Sequence, residues 1–397
     1  EISACLVGSE MCIRDSFYVN KRREFKMPKF APFTANGRKG KNMREILLDG
    51  GIAEVHIPII FESRESAETE FARAAKTLES LGAQAVCAEI FGPAWAGEAA
   101  NALFSGIPVN RILPLDESAA PTLAGAHITA LRGARAEFRD CGGFMSAVYE
   151  AGGVRYFRAF GITPGSAEGD GYAETIGNLS AMKYALEKCG YKFTDIARTW
   201  FYNFRLLDWY ADFNRARTEF FRNEKIFDSL LPASTGIGAP NPAGAKIESG
   251  IFALKSSGKG GAKWSAREVE SPLQCGAPRY GSSFSRAVEI DTEFSRRVII
   301  SGTASIEPEG ATAHIGDIKG QVELTMRVIG GILESRGMGF SDTVRAVVYC
   351  QRPEFYGEFK KWCAESGAEI PHCPSFSTVC RGDLLFEVEL DAARNAR

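Results

Sequence analysis

The sequence predicts an α+β fold built from one strand–helix–strand unit that occurs three times. The main observation is a correspondence between the middle and the last third of the chain. Matching the FTD motif of the middle part with the FSD motif of the last part pairs Arg198 with Arg345 and Tyr202 with Tyr349. Each motif follows a helical pattern and opens an apolar strand. We therefore interpret the two parts as copies of one unit, preceded by a more diverged copy.

The first unit begins with an apolar strand at 53–61. A helix follows, with Ser66 as its predicted N-cap and Gly82 at its end. Its apolar residues recur at helical spacing and are Phe71, Ala74, Ala75, Leu78 and Leu81. The remaining predicted elements are a strand at 85–92, a helix at 97–106 and closing strands near 109–113 and 126–131.

The middle and last units repeat this order, with a second helix before the closing strands. The elements predicted for the middle unit are strands 154–162 and 193–204, helices 172–190 and 207–221, and closing strands 231–238 and 245–255. Those predicted for the last unit are strands 297–306 and 340–350, helices 321–337 and 353–367, and closing strands 375–380 and 385–390. A polar turn, Arg381-Gly382-Asp383, separates the last two strands.

The final strand carries two carboxylates on one face. Because residues alternate between the faces of a strand, Glu387 and Glu389 point to one side, and Phe386, Val388 and Leu390 point to the other. A carboxyl group on a half-buried strand is a candidate general acid. A solvated strand face is the other interpretation of the same pattern.

Segment 3–16 has no basic region followed by an apolar core, so we do not expect it to be a secretory signal, and it resembles translated sequencing-adapter DNA. We expect Met27 to lie closer to the natural start. A stretch rich in Gly, Ser and Lys predicts an exposed insertion between the last two units. The predicted division is a non-native or disordered extension at 1–26, a degenerate first unit at 27–140, a middle unit at 141–255, the insertion at 256–283 and a last unit with the main site at 284–397.

Composition argues against several classes of partner. The formal net charge is −2 and neither sign is concentrated, which disfavours nucleic acid and anionic membranes. No apolar run approaches the about 20 residues that span a bilayer. The cysteines lack C-x-x-C spacing and the four histidines lack a metal-binding pattern. We expect reduced thiols, no metal and a cytoplasmic location.

Several motifs together resemble those of the chorismatase family, within the YjgF-like reactive-intermediate deaminase superfamily. They are SGTASI (301–306), HIGD followed by Gln321, FSRA (284–287), ASTGIG (233–238) and VCRGDLLFEVE (379–389). The resemblance covers residues from about 50 to 391 and implies three fused YjgF/chorismate-mutase-like units, with mixed β-sheets packed by helices, that form an intramolecular pseudo-trimer. It further implies a monomer that needs no cofactor and cleaves the enolpyruvyl ether of chorismate, a small-molecule substrate, to pyruvate and a cyclic acid.

The resemblance places the catalytic glutamate at Glu387. It also places a cysteine at Cys380, which accompanies the branch of the family that makes 3-hydroxybenzoate rather than a dihydroxycyclohexadiene carboxylate. A buried structural thiol is the other interpretation of Cys380.

A dicarboxylate substrate requires cationic or backbone donors. Arg217, Arg279 and Arg286 are candidates because the guanidinium fork matches a carboxylate. The remaining candidates are hydroxyl donors, backbone donors beside glycine and a residue at the start of a helix: Tyr202, Tyr280, Thr235, Gly236, Gly302 and Gln321. Arg217 facing water and Arg286 paired with Glu289 or Asp291 are the structural alternatives.

Two other functions fit the same layout. One is imine or enamine deamination, although neither 232–238 nor 371–379 contains the arginine with which the simpler deaminases hold a carboxylate. The other is metabolite binding or scaffolding without catalysis. Convergence of Glu387, Cys380 and an arginine on one cleft would distinguish catalysis from scaffolding.

Overall fold

The computed structural model describes residues 43–116, 124–165, 169–258 and 263–396, apart from the side chain of Tyr280. Within these residues the chain forms three mixed β-sheets, each accompanied by two α-helices. None of the described helices is long and apolar enough to cross a membrane. The predicted extension at 1–26 lies outside the described residues.

The elements follow the same order in each unit, with one additional strand at the start of the second and third units. The first unit has β1 (Arg44–Leu47), β2 (Ala53–Phe61), α1 (Arg64–Ser80), β3 (Gln84–Phe91), α2 (Ala94–Asn101), β4 (Val109–Ile112) and β5 (Ala124–Arg132). The second has β6 (Glu137–Asp140), β7 (Met145–Ala151), β8 (Val154–Ile162), α3 (Gly171–Lys188), β9 (Ile196–Asn203), α4 (Leu206–Asn223), β10 (Ala233–Ile237) and β11 (Ile247–Ser256). The third has β12 (Trp264–Val269), β13 (Ala287–Thr292), β14 (Ser295–Ala304), α5 (Ile318–Ser335), β15 (Thr343–Cys350), α6 (Tyr356–Ser366), β16 (Cys373–Phe376) and β17 (Phe386–Asn395).

Sheet topology confirms the predicted repeat. In each sheet the last strand in sequence inserts between the two strands that flank the first helix, so the central orders are β2-β5-β3, β8-β11-β9 and β14-β17-β15. The strand after the second helix then pairs in parallel with an inner strand, as β4 with β3, β10 with β9 and β16 with β15. Parallel pairing needs a crossover, which the second helix supplies.

The boundary of the first helix differs from its prediction. The N-cap is Ser63, not Ser66, because Ser63 accepts from the Ser66 backbone while the Ser66 hydroxyl accepts from the Ser63 backbone. Serine is a favoured N-cap residue, and residue type alone does not distinguish Ser63 from Ser66. The apolar positions are unaffected, and Phe71 and Leu78 are buried.

Two predicted segment boundaries separate strands that pair with each other. The insertion predicted as exposed at 256–283 contains β12, which pairs with β13 as the edge strand of the third sheet, and Gln274 and Ser282 within it are buried. The second unit begins before residue 141, because β6 pairs with β7. Strand β12 carries little apolar periodicity, so composition alone indicated a loop at 256–283.

The three units close into a ring. Strand β4 of the first unit packs against β8 of the second, β10 packs against β14 of the third, and β16 packs against β5 of the first. A parallel bridge joins Ala233 to Ser285, and the Asn110 side chain accepts from the Gly161 backbone at 2.8 Å. Each contact runs from one unit to the next in the same sense, which is the arrangement of a pseudo-trimer.

Charged groups from different units meet in the interior of the ring. Arg345 of β15 donates to both oxygens of Glu89 of β3, at 2.8 and 2.7 Å. Glu54 of β2 pairs with Arg158 of β8 at 3.0 Å and with Arg297 of β14. All five side chains are at most 6% exposed. Removing one partner of such a pair leaves an uncompensated buried charge, at a cost of about 3–5 kcal/mol.

Candidate active site

A cavity of about 430 Å³ lies between the second and third units. Its walls come from α4 and β10 of the second unit, and from the segment before β13, β14, the turn before β17 and β17 itself in the third unit. The lining residues are Tyr210, Ala211, Phe213, Asn214, Arg217, Ser234, Gly236, Gly281, Ser282, Phe284, Arg286, Gly302, Ala304, Ile306, Cys380, Arg381 and Glu387.

Glu387 is the one carboxylic acid among the described lining residues. The predicted strand alternation is confirmed, because Phe386, Val388 and Leu390 all pack in the apolar core of the third unit. Gly302 on the neighbouring strand β14 lies against the carboxyl group, and a Cβ atom at that position would overlap with Glu387 Oε1. Glycine at 302 therefore makes room for the acid.

The environment of Glu387 favours its neutral form. The side chain is buried, and burial is the main reason that the pKa of this carboxyl is raised to about 8. The negative charge of Glu389 acts in the same direction, whereas Arg286 and Arg198 oppose it. Glu387 therefore carries a transferable proton at neutral pH, as a general acid requires.

Two predicted arginines reach the same cavity. Arg217 is buried on α4, where it donates to Asn214 Oδ1 at 2.8 Å and stacks 4.8 Å above the centre of the Phe213 ring. Arg286 is buried before β13 and donates through Nε to the carbonyl oxygen of Cys275 at 2.9 Å. These contacts fix both guanidinium groups in the wall. Burial excludes the solvated Arg217, and the two carboxylates considered as partners of Arg286 form ion pairs with other arginines: Glu289 with Arg267 and Asp291 with Arg296.

Cys380 also lines the cavity, at the start of the turn before β17. Burial, assisted by the charge of Glu387, raises the pKa of its thiol to about 12. The group is consequently a neutral thiol at physiological pH, and its thiolate is not formed there. Cys380 shapes the wall beside Glu387.

Gly236 and Gly302 line the cavity as predicted. Four other predicted binding residues do not, namely Thr235, Tyr202, Arg279 and Gln321. Thr235 lies behind the wall because Ser234 and Gly236 take the cavity face of β10. Tyr202 is fully buried with its ring 6.0 Å from that of Phe91. The side chain of Tyr280 lies outside the described residues.

The other two misplaced candidates have structural positions. Arg279 is exposed and away from the cavity. Gln321 is the fourth residue of α5 and fully buried, where it donates to the Asp383 carbonyl at 2.8 Å and accepts from the Leu385 backbone at 2.8 Å. Its amide holds the turn before β17 in place and offers no anion site.

Sequence reasoning missed several lining residues. Tyr210, Phe213 and Asn214 lie seven, four and three residues before Arg217, on the same face of α4, so helical periodicity could have identified them. Arg381 was assigned to a turn, but it lines the cavity and donates to the Gly310 carbonyl at 2.8 Å. Its role depends on a loop contact that sequence spacing does not reveal.

The sequence is similar to those of proteins from Streptomyces. The sequence is 30% identical over 234 residues to a 3-hydroxybenzoate synthase of Streptomyces hygroscopicus, covering 51% of this chain and 64% of the relative, which is just under two thirds of its length. It is 28% identical over 257 residues to a chorismatase of the same organism, covering 58% of this chain and 70% of the relative. No family model matches the sequence.

The fold is similar to a crystal structure of a chorismatase, with a TM-score of 0.58 at 21% identity, over 78% of this chain and 93% of that one. The similarity supports the three-unit α+β fold. Together with the sequence relatives, it confirms the predicted resemblance to the chorismatase family.

We predict that the carboxyl group of Glu387 titrates near pH 8, because burial disfavours its charged form. The infrared C=O band of protonated carboxyl groups should decrease as the pH rises from about 7 to about 9, and Glu387→Gln should remove that component. Glu248 serves as an internal control, because burial raises the pKa of its carboxyl to about 8 as well and its band should remain in the Glu387→Gln variant. A Glu387 carboxyl that is already ionised at neutral pH would contradict the prediction.

Proposed function

We propose that this chain, which is related to the chorismatases in sequence and fold, cleaves the enolpyruvyl ether of chorismate to pyruvate and a cyclic acid. The observation that carries the proposal is the position of Glu387, a carboxyl that burial keeps protonated, in the wall of a cavity that Arg217 and Arg286 also line. The cavity volume of about 430 Å³ is in the usual range for small-molecule sites.

The reaction begins with a proton transfer. Glu387 donates its proton to the terminal methylene carbon of the enolpyruvyl group, which becomes a methyl group and leaves an oxocarbenium-like carbon beside the ether oxygen. Water adds to that carbon and returns a proton to the Glu387 carboxylate, which gives a hemiketal. As the hemiketal collapses, its hydroxyl becomes the carbonyl of pyruvate, the bond between this carbon and the ring oxygen breaks, and the hydroxyl proton passes to the ring oxygen. The products are pyruvate and the ring alcohol, and every step uses protein groups, substrate and water.

The cationic groups provide recognition. Chorismate carries two carboxylates, and Arg217 and Arg286 present guanidinium groups from two different units. Arg381 adds a third guanidinium on the side of the turn before β17. A dianionic substrate would therefore bridge the two units and place its ether beside Glu387.

The arrangement favours catalysis over scaffolding. Glu387, Cys380 and two of the three predicted arginines converge on one cavity, which was the distinguishing criterion. Deamination predicts a different outcome, because an imine or enamine substrate would release ammonia. Assaying pyruvate and ammonia in parallel separates the two activities.

Replacing Glu387 by Gln should lower the rate of pyruvate release from chorismate by about 100-fold or more, because the amide cannot supply the proton. The matched control is Glu248→Gln, which removes a buried glutamate of similar pKa at the equivalent position of the second unit. That variant should keep its activity. Wild-type protein that releases no pyruvate would overturn the proposed function, and a fully active Glu387→Gln variant would overturn the role of the acid.

We further propose that 3-hydroxybenzoate is the main cyclic product, on the basis of Cys380 in the cavity wall. It forms when the dihydroxycyclohexadiene carboxylate left by ether cleavage loses one molecule of water and becomes aromatic. Replacing Cys380 by Ala should move the ratio of products toward the dihydroxycyclohexadiene carboxylate by about tenfold, a change of about 1.4 kcal/mol between two barriers. Chromatography of the ring products measures the ratio, and total pyruvate serves as the control because both reactions release it. An unchanged ratio in an active variant would show that Cys380 does not select the product.

The closed ring of units predicts a monomer in solution. Each of β4, β10 and β16 already packs against another unit of the same chain, so the surfaces that would join three separate units are occupied. Light scattering should give a mass near 43.2 kDa. A stable homotrimer would contradict this expectation.

A further inference from the structure

We propose that Glu389, which lies behind the cavity wall, is a positioning residue that keeps Glu387 in its protonated form by occupying two buried arginines. The inference rests on the proposed role of Glu387 as the acid. It concerns a residue that does not line the cavity and that the chemistry above does not use.

Glu389 lies on the same face of β17 as Glu387, two residues further along the strand, and is fully buried. Arg198 of the second unit donates to its Oε2 at 2.7 Å, and the Trp200 indole donates to its Oε1 at 3.0 Å. Arg345 of the third unit also donates to Oε1. One carboxylate therefore receives two guanidinium groups from two units.

Two hydrogen bonds link Arg198 to Gly302, the residue that lies against the Glu387 carboxyl. The same Nη2 of Arg198 that binds Glu389 also donates to the Thr235 hydroxyl, and the Gly302 backbone donates to that hydroxyl at 3.1 Å. Gly302 is the residue against which the Glu387 carboxyl packs. Arg198 therefore points toward Glu389 and Thr235, and Thr235 and Gly302 lie between it and the Glu387 carboxyl.

The electrostatic consequence follows from this geometry. Arg198 lowers the pKa of Glu387 and Glu389 raises it, while Glu389 is itself kept ionised by Arg345 and Arg198. Removing the negative charge of Glu389 would leave the charge of Arg198 unopposed, so that it stabilises ionised Glu387. The acid would then lose its proton at a lower pH.

The other charged groups around the two carboxyls do not change between the variants compared below. Those that face Glu387 are Arg286 before β13, Arg217 on α4, and Cys380 and Arg381 in the turn before β17. Those near Glu389 are Glu89 on β3, Tyr202 on β9, Tyr349 on β15 and Asp391 on β17.

The test compares Glu389→Gln with Glu54→Gln. Glu54 is an equally buried carboxylate that pairs with Arg158 and Arg297 in a separate cluster, so its loss should also destabilise the ring without affecting Glu387. The readout is the pH dependence of kcat for pyruvate release. A general acid loses activity as the pH rises through its pKa, so the position of the alkaline limb reports the proton on Glu387.

We expect the alkaline limb of Glu389→Gln to move to lower pH by about one unit, which lowers the rate about fivefold near pH 8 and changes it little near pH 6. Glu54→Gln should leave the limb in place. An unmoved limb in a folded Glu389→Gln protein would overturn the inference, and so would an equal shift in both variants.

Two further measurements keep the test decisive. If Glu389→Gln does not fold, Arg198→Gln removes the cation that Glu389 occupies and that opposes the proton on Glu387, so the limb should move to higher pH; an unmoved limb would then overturn the inference. If the wild type releases no pyruvate, the infrared titration of Glu387 is measured instead of the rate. A Glu387 carboxyl that titrates near pH 8 in both the wild type and Glu389→Gln would overturn this inference, whatever the outcome for the proposed function.

Discussion

Buried charge pairs between units determine where a ligand site can form. Glu389 accepts from Arg198 of the second unit, and Arg345 links Glu389 to Glu89 of the first unit. These groups are stable in the interior only while they remain paired, so strand β17 must lie where the units meet. Glu387, two residues earlier on the same face, consequently reaches the boundary between the second and third units. The acid is thus placed at an interface by the same strand that anchors the ring.

The repeat offers three equivalent positions for this acid, and the cavity described above lies at one of them. Strand register aligns Glu387 with Glu248 of the second unit and Gly125 of the first, because they pair with Tyr349, Tyr202 and Phe91. A Cβ at Gly125 would lie 2.7 Å from Cys373, so β16 fills that boundary. Glu248 accepts from the Arg111 backbone of β4 at 2.7 Å. The edge strand of the neighbouring unit therefore determines whether a cavity remains beside each of these three positions.

Sequence periodicity predicted the repeat, most elements and the face of Glu387, because these follow from local alternation and spacing. It also identified Arg217 and Arg286, since residue chemistry limits what can bind a carboxylate. It misplaced Thr235 and Tyr202 because a strand residue can face a cavity or a buried interface, and only the packing between units distinguishes them. Gln321 shows the same limit: its hydrogen bonds to the turn before β17 join residues about 60 positions apart, a relation that local pattern does not contain.

Fusion of three units explains how one boundary could diverge from the others. In a homotrimer of identical chains, any substitution changes all three boundaries at once. In this chain the position of Gly236 on β10 corresponds by register to Arg111 on β4 and Pro374 on β16. Gly236 has open space where a side chain would begin. The two carboxyls at 248 and 387 have similarly raised pKa values, so the two boundaries differ in the side chain that the edge strand presents and not in the pKa of the buried acid.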